Sequence, residues 1–384
     1  MNQFKINPYK KKKVFFENLD GLRFFCFIAV YFFHSFHTEK PEILQSDIYL
    51  FITKDLFGNG NLGVNFFFVL SGFLITYLLI VEKKINGQIN LKKFWIRRIL
   101  RIWPLFFFCV IFGFVIFPQL KLLFGQSPNE SANFLFYITF LNNFDLIKNG
   151  LPDASILGVL WSVAIEEQFY LIWPIVLYIF PIKKFWIPFS LVIISSLVFR
   201  AFNDNYMLHE YHTLSCIGDM TVGALGAWVV SEFPSIKVRI ENFGKIHILS
   251  IYLLFFTIFI FRDEIFFGVY FLRVFERITI AFVILLIILE QNYAKNSYFK
   301  LSRFRTISKL GGITYGLYCL HFIGILITIT LTKKLSFNNH LWQVIIFESL
   351  IALAITIIIS KVSYTFFEKP FLRIKNKFSY ISRD

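Results

Sequence analysis

Two ionisable side chains lie within the first apolar stretch of the sequence, where charge is costly. Arg23 and His34 are eleven residues apart in LDGLRFFCFIAVYFFHSF. On one helix this spacing is close to three turns, so both side chains share a face and lie about 16 Å apart along the axis. An imidazole exchanges a proton near neutral pH, which makes His34 a candidate general base. The alternatives are an interhelical hydrogen bond for His34 and a snorkelling anchor for Arg23.

Two consecutive carboxylates occur in a later apolar stretch, GVLWSVAIEEQFYLIWP. At about 100° per residue, Glu166 and Glu167 cannot face the same neighbour, so one is expected in an interior cavity and the other against a second polar partner. If this stretch runs inward, Glu166 lies about 12 Å below the outer surface. That depth is compatible with the depth of His34. We therefore predict that one carboxylate orients His34 and raises its basicity.

A basic segment, LKKFWIRRILRIWPLF, precedes the third apolar stretch. Arg98 and Arg101 are three residues apart and share a helix face. The planar guanidinium fork suits phosphate oxygens, so the pair predicts a cytoplasmic site for a polyphosphate ligand. The alternative is a topological signal with headgroup contact. Pro104 is expected to start a new helix or to kink this one.

Other polar residues in apolar stretches are secondary candidates, for which helix packing is the simpler interpretation. Tyr315, Tyr318 and His321 follow one another at three-residue spacing. No Ser or Cys has a convincing nucleophile arrangement, and the four cysteines show no metal-ligand spacing, so we expect neither an acyl-enzyme nor a metal. The secondary candidates are Asn65, Ser71, Tyr170, Asp219, Tyr315 and His321.

The composition determines the elements that must position these residues. Of 384 residues, 57% are hydrophobic and 16% are charged, and Phe alone occurs 53 times. This excludes a cytosolic globular enzyme, a disordered chain and a disulfide-rich module. Because one span needs about 20 apolar residues, we predict an all-α integral membrane protein with about ten transmembrane helices. The predicted stretches are 22–38, 62–81, 102–121, 158–180, 185–201, 213–231, 247–261, 266–289, 312–332 and 341–366.

The net charge of +15 would suggest nucleic acid in a soluble protein. Here the charges flank apolar stretches, so we expect anionic membrane lipids as partners and no nucleic acid. Basic and acidic loops alternate, which places 83–101 inside, 125–155 outside and both termini in the cytoplasm. Lys333 and Lys334 are the exception. The predicted organisation is a basic segment (1–21), a transmembrane domain (22–370) and a basic tail (371–384).

Several segments, in this order, resemble the acyltransferase-3 family of membrane acyltransferases. The resemblance covers nearly the whole chain, although Met220 follows Asp219 where Gly is common and no Pro follows His321. It implies transfer of an acyl group, usually acetyl, from acyl-CoA to a hydroxyl, often on an envelope carbohydrate, in a ten-span protein of a bacterial cytoplasmic membrane. The matching segments are LDGLR with His34, GVNFFFVLSGFLI, FWIRRILRIWPLF, LWSVAIEEQFYLIWP, the Asp219 region, TYGLYCLH and SYTFFEKPF.

The combined hypothesis is therefore an O-acyltransferase in which His34 is the general base. Acyl-CoA, expected to be acetyl-CoA, is a donor substrate rather than a bound cofactor, and Arg23, Arg98 and Arg101 hold it. The acceptor is a carbohydrate or a lipid-linked glycan. The alternative is a proton-coupled transporter that uses His34, Glu166 and Glu167 as a relay, although no inverted repeat is visible. Acyl transfer by the purified protein separates the two.

Overall fold

The computed structural model describes residues 12–13, 16–378 and 381–382. Lys5, Lys10 and Lys11 of the predicted basic segment lie outside the described residues, as does the end of the predicted tail. The regular elements of the described chain are helices, apart from a two-residue parallel pairing of Lys12–Lys13 with Ile381–Ser382. The helices that build the site and its supports are α1 (Glu17–Phe33), α2 (Leu62–Asn86), α3 (Leu91–Ile111), α4 (Leu160–Ile179), α5 (Trp186–Phe202), α6 (Thr213–Glu232), α7 (Lys245–Ile260), α8 (Tyr270–Tyr293), α9 (Thr314–Lys334), α10 (Ser349–Val362) and α11 (Lys369–Lys377).

Shorter elements connect or extend these helices. Short α-helices cover Pro41–Leu44, Asp47–Leu50, Phe117–Leu123, Phe134–Ile138, Asn142–Asn149, Ser155–Gly158, Tyr206–Tyr211, Pro234–Glu241, Arg262–Phe266 and Arg305–Gly311. Turns of π-helix occur at Phe51–Leu56, Phe112–Ile116, Gln343–Glu348 and Ser363–Glu368, and turns of 3₁₀-helix at Ile182–Lys184 and Leu301–Arg303. The π turns within the third and tenth stretches leave the helical path continuous, so each forms one long segment, Leu91–Leu123 and Gln343–Lys377.

The helices confirm an all-α, multi-pass membrane protein. Seven helical segments of the described chain are long and apolar enough to cross a membrane, or eight if Pro234–Glu241 and α7, bent by 91°, count as one. Each of the ten predicted stretches coincides with a helix. However, α1 has only 17 residues, and α8 carries charged side chains in its first turns. The count of ten and the cytoplasmic termini therefore stay predictions.

The first stretch does not extend to residue 38 as predicted. Helix α1 begins at Glu17 and ends at Phe33, and the backbone N–H of His34 still donates to the carbonyl oxygens of Val30 and Tyr31, both at 3.2 Å. Two residues later Phe36 has a φ of 68°, a left-handed conformation that turns the chain away from the helix axis. His34 therefore caps the end of α1 instead of lying within it.

The third stretch begins earlier than predicted. The side chain of Asn90 accepts a hydrogen bond from the Lys93 backbone N–H and caps the start of α3. The helix then runs through Pro104 to Ile111, so the proline does not start a new helix. As a result, Arg98 and Arg101 belong to the same helix as the apolar span that follows them.

Helix α2 lies in direct backbone contact with α6. A Cβ atom at Gly72 would clash with the backbone oxygen of Met220, and one at Gly223 would clash with the backbone oxygen of Val69. Only a hydrogen atom fits at either position. Such close approach is the way that small residues replace the hydrophobic effect between helices in a membrane. This contact fixes the height and rotation of α2, on which much of the site is built.

Lys333, the exception to the charge alternation, is paired with an acid. Its Nζ lies 2.8 Å from Oε1 of Glu39, in the loop after α1. The hydrogen bond from this ammonium lowers the pKa of Glu39. The pair joins the end of α9 to the loop that follows His34, so this cation has a local partner on the side of the molecule where its loop is predicted.

Cysteine labelling tests the predicted orientation. The four native cysteines are buried, so the background is low. Cysteine at exposed Lys148, in the Asn142–Asn149 helix, should react with an impermeant maleimide in intact cells. Cysteine at exposed Lys92, at the start of α3, should react only after the membrane is permeabilised. Equal labelling of both positions in intact cells contradicts the orientation.

Candidate active site

A cavity of about 490 Å³ opens between α1, α2, α3, α4, α9 and α11. On α2 its lining extends from Val64 to Glu82, about 27 Å along the helix axis at 1.5 Å per residue. The end near Glu82, the basic end, carries basic side chains, and the end near Val64, the aromatic end, carries aromatic ones. Of the candidate residues predicted from the sequence, the cavity brings together Arg23, Ser71, Arg98, Arg101, Glu166, Tyr170 and Tyr315.

The arginines at the basic end of the cavity differ in what they contact. Arg97 pairs with Glu82 at 3.1 Å, and Arg23 pairs with Asp20. Arg98 forms no ion pair with any described residue; its guanidinium lies over the rings of Phe94 and Tyr170, 5.4 and 5.5 Å from their centroids. A guanidinium that is stacked on aromatic rings but not paired with a carboxylate keeps its N–H donors for an anionic ligand.

The two consecutive carboxylates point in different directions, as their 100° separation requires. Glu166 lines the cavity, where its Oε1 accepts a hydrogen bond from Ser71 at 2.6 Å. The hydroxyl of Tyr170 donates to the same Ser71 oxygen at 3.1 Å. Glu167 does not line the cavity; its Oε2 accepts from the indole N–H of Trp103 at 2.8 Å. The middle of the cavity is therefore polar, with one carboxylate in its wall.

Two histidines meet just beyond the aromatic end of the cavity. Nδ1 of His34 lies 3.1 Å from Nε2 of His321, and the two rings stack with centroids 5.2 Å apart. His321 is fully buried, whereas His34 is half-buried at the end of α1. Tyr318 lines the cavity and lies three residues before His321 on α9. The pair is thus about one helical turn past the last residues of the cavity.

The hydrogen bonds of this pair determine which ring nitrogen of His34 is free. Nδ1 of His321 lies 2.7 Å from the backbone oxygen of Tyr318, which can only accept, so this nitrogen donates. In a neutral imidazole the other nitrogen then carries a lone pair, and Nε2 of His321 accepts from Nδ1 of His34. His34 consequently holds its proton on Nδ1 and presents an unprotonated Nε2. That is the tautomer a general base requires.

The predicted pairing of a carboxylate with His34 is wrong. The reason is depth: Glu166 is one turn inward of Ser162, whose Oγ is 2.8 Å from the hydroxyl of Tyr318, and His321 is one turn beyond Tyr318. Two turns, about 10 Å, therefore separate the level of Glu166 from the histidines. His321, a secondary candidate in the sequence, occupies the place expected for a carboxylate.

Asn65 and Asp219 lie outside the cavity, in a second buried cluster. The amide of Asn65 on α2 donates to Oδ2 of Asp219 on α6 at 3.1 Å, and Nη2 of Arg277 on α8 donates to the same oxygen at 2.7 Å. All three side chains are almost fully buried. The cluster ties three helices together, and nothing in it reaches the cavity. Tyr315 has a similar role, because its hydroxyl donates to the backbone oxygen of Ile102 at 2.8 Å.

Sequence reasoning missed most of this second cluster. Arg277 lies 3.5 Å from Glu210, while Glu276 accepts hydrogen bonds from Arg262 at 2.6 Å and from Arg200 at 2.9 Å. The signal was present, because Glu276 and Arg277 stand inside a stretch predicted to span the membrane. Charges at such positions are expected to find partners of opposite sign, as these do.

A sequence model of an acyltransferase domain, from the acyltransferase 3 family, matches residues 16–361. The match includes both histidines, both carboxylates and all three predicted donor-binding arginines. The chain belongs to the acyltransferase 3 family. Among other members, a peptidoglycan O-acetyltransferase, OatA, of Listeria monocytogenes is 29% identical over 391 residues, which cover 94% of this chain and 56% of that relative. An O-acetyltransferase OatA of Staphylococcus aureus is 34% identical over 165 residues, which cover 41% of this chain and 24% of that relative.

A further acyltransferase 3 relative, from Staphylococcus aureus strain COL, has a name that includes the word O-acetyltransferase. It is 27% identical over 403 residues, which cover 97% of this chain. The chain spans 59% of that relative's length. No solved structure matches this acyltransferase 3 chain.

The second cluster should contribute to stability. Arg277→Ala leaves the buried Asp219 carboxylate without its cation, a change that typically costs about 3–5 kcal/mol. We expect a large loss of thermal stability in detergent, and a smaller combined loss than the sum of the single changes when Asp219→Ala is added. Arg273→Ala, on the same helix as Arg277, is the matched control, because it removes only a partly exposed pair with Asp204 in the loop after α5. Equal losses for Arg273→Ala and Arg277→Ala would argue against this role.

Proposed function

We propose that this protein is an O-acyltransferase that moves an acetyl group from acetyl-CoA, bound from the cytoplasmic side, to a hydroxyl of an envelope carbohydrate. The observation that carries the proposal is the order of groups along one cavity. Arg98, which forms no ion pair with a described residue, lies at the basic end, a polar wall follows, and an unprotonated imidazole nitrogen lies one turn beyond the aromatic end. This order matches the chemical order of the donor: phosphates, pantetheine amides, thioester.

The donor would enter with its thioester leading. Arg98 and Arg101 would hold phosphate groups at the basic end, and Arg23 would add positive charge on the α1 side. In the middle, the carboxylate of Glu166 supplies an acceptor for an amide N–H of the pantetheine arm. The acyl carbon would then stand next to the histidine pair, where aromatic rings exclude bulk water: Phe322 lies 4.9 Å from the ring of His34 and 4.6 Å from that of His321.

The reaction is a direct transfer. As the acceptor hydroxyl oxygen attacks the thioester carbonyl, Nε2 of His34 takes the hydroxyl proton, and His321 stabilises the resulting imidazolium by accepting from its Nδ1. Collapse of the tetrahedral intermediate breaks the carbon–sulfur bond. The proton on Nε2 then passes to the departing thiolate. The products are the O-acyl ester and free coenzyme A, and His34 returns to its starting tautomer.

The acceptor would approach from the opposite side of the membrane. His34 is half-buried at the end of α1, where the chain enters a loop that the charge pattern places outside. This arrangement suits a protein of the bacterial cytoplasmic membrane whose donor is intracellular and whose acceptor is an envelope polymer. The name of the Listeria relative, a peptidoglycan O-acetyltransferase, supports a carbohydrate acceptor.

Replacing Arg98 should weaken donor binding. A charge-assisted contact to phosphate contributes about 1.5–3 kcal/mol, so Arg98→Ala should reduce the affinity for acetyl-CoA about ten- to a hundredfold. Calorimetry on the detergent-purified protein measures this. Lys92→Ala, an exposed cation on the same helix, is the control and should bind normally. Unchanged affinity in Arg98→Ala leaves the arginine with a topological role only.

Substitutions of the two histidines test the mechanism. His34→Ala should slow transfer about a hundredfold or more at saturating donor and acceptor, while acetyl-CoA still binds. His321→Gln should keep part of the rate, because a glutamine can accept from Nδ1 of His34 and donate to the Tyr318 carbonyl. His321→Leu can do neither and should lose most of it.

The measured quantity is kcat for release of coenzyme A with formation of the acetylated carbohydrate. Near-normal transfer by His34→Ala refutes the general-base role. If His321→Gln and His321→Leu lose the same amount, the tautomer argument is wrong even though His34 remains the base. If the unchanged protein neither binds nor turns over acetyl-CoA, the proposed activity itself is refuted.

A further inference from the structure

The long helical segment Gln343–Lys377 continues past the family match into a basic helix beside the cavity. The match ends at residue 361, whereas the helical path runs without a break from Gln343 to Lys377. Its last part, α11, reads KPFLRIKNK. Residues 362–377 lie outside that match, so the role of α11 must come from its position.

One face of α11 forms part of the cavity wall. Leu372, Lys375 and Asn376 line the cavity, at the spacing that places residues on one side of a helix. Arg373 and Lys377 are exposed on the other side. Lys375 is half-buried. The helix thus separates its cations into one that faces the cavity and others that face solvent.

Contacts at the basic end of the cavity hold α11 against α3, the helix that carries Arg98 and Arg101. Nη1 of Arg97 donates to the backbone oxygen of Phe378 at 3.0 Å, and Nη2 of the same residue pairs with Glu82 at 3.1 Å. Because Phe378 is level with Arg97, Lys375 lies about one turn deeper on α11, near the level of Arg98 and Arg101 on the neighbouring helix α3. The cations therefore stand on two packed helices that line one cavity.

The charge of the expected donor needs more than two arginines. Coenzyme A carries a diphosphate and a ribose 3′-phosphate, and a phosphate monoester alone has a charge of about −1.5 to −2 at neutral pH. Lys375 on the neighbouring helix α11 would add a cation to Arg98 and Arg101 and would extend the positive charge that the phosphates meet from α3 to α11.

We propose that α11 is part of the donor site and that Lys375 binds a phosphate group of the acyl-CoA donor together with Arg98 and Arg101 of α3. This inference rests on the proposed function, because it takes acyl-CoA as the donor. It assigns a binding residue to the segment that follows the family match. Lys377, two residues further along the same helix, has the same charge but faces solvent.

Kinetics with three donors test the assignment. Lys375→Ala should raise KM for acetyl-CoA about tenfold or more, with a much smaller change in kcat, and Lys375→Arg should restore most of the affinity. Lys377→Ala should behave as the unchanged protein. The same variants are then assayed with acetyl-3′-dephospho-CoA and with acetyl-pantetheine, which has no phosphate. Elution from a sizing column and thermal stability confirm that each variant is folded.

Each outcome has a distinct meaning. If the defect of Lys375→Ala disappears with acetyl-3′-dephospho-CoA, Lys375 binds the 3′-phosphate; if it persists there and disappears with acetyl-pantetheine, Lys375 binds the diphosphate. A defect that persists with acetyl-pantetheine overturns the inference, as does a Lys375→Ala protein that matches Lys377→Ala. If the unchanged protein uses none of the three donors, the proposed function fails instead.

Discussion

The contact between the backbones of α2 and α6 is the constraint on which the rest of the structure depends. With glycine at positions 72 and 223, the two helices approach until only hydrogen atoms separate them. Helix α2 then has its height and rotation fixed, and it carries Ser71 into the cavity and Asn65 into the second cluster. A larger residue at either glycine would push α2 outward and would disturb the cavity and the second cluster together.

The second cluster and the basic end of the cavity meet the same physical requirement in different ways. A charge held among apolar helices needs a partner, because water is not available to solvate it. In the second cluster acids and arginines form ion pairs with one another, so the protein itself supplies the opposite charge for each. At the basic end of the cavity Arg98 stacks on rings and forms no ion pair with a described residue. The first arrangement stabilises a fold, whereas the second is suited to a ligand that brings the opposite charge.

The sequence predicted the elements well and their contacts poorly, for a physical reason. A membrane demands long apolar stretches, so each helix is visible in the composition, and the 100° step already separated Glu166 from Glu167. The partner of His34 depends instead on where α1 ends and on the height of α9 beside it. The spacing of Tyr318 and His321 showed that they share a helix, but not that this helix faces His34. Helix ends and relative heights are set by packing between distant segments, which periodicity does not report.

The aromatic surroundings of the histidine pair have a consequence for the membrane as a whole. The cavity lining reaches Tyr318 and stops one turn short of the histidine pair, and Phe27, Phe33 and Phe322 lie around the two histidine rings. A water-filled passage from one side to the other would let protons leak and would discharge the membrane potential. In the proposed reaction, these rings would act as an electrical insulator: a two-carbon acetyl group would be small and uncharged enough to be handed across, whereas ions and the nucleotide carrier would be retained on the side where they entered.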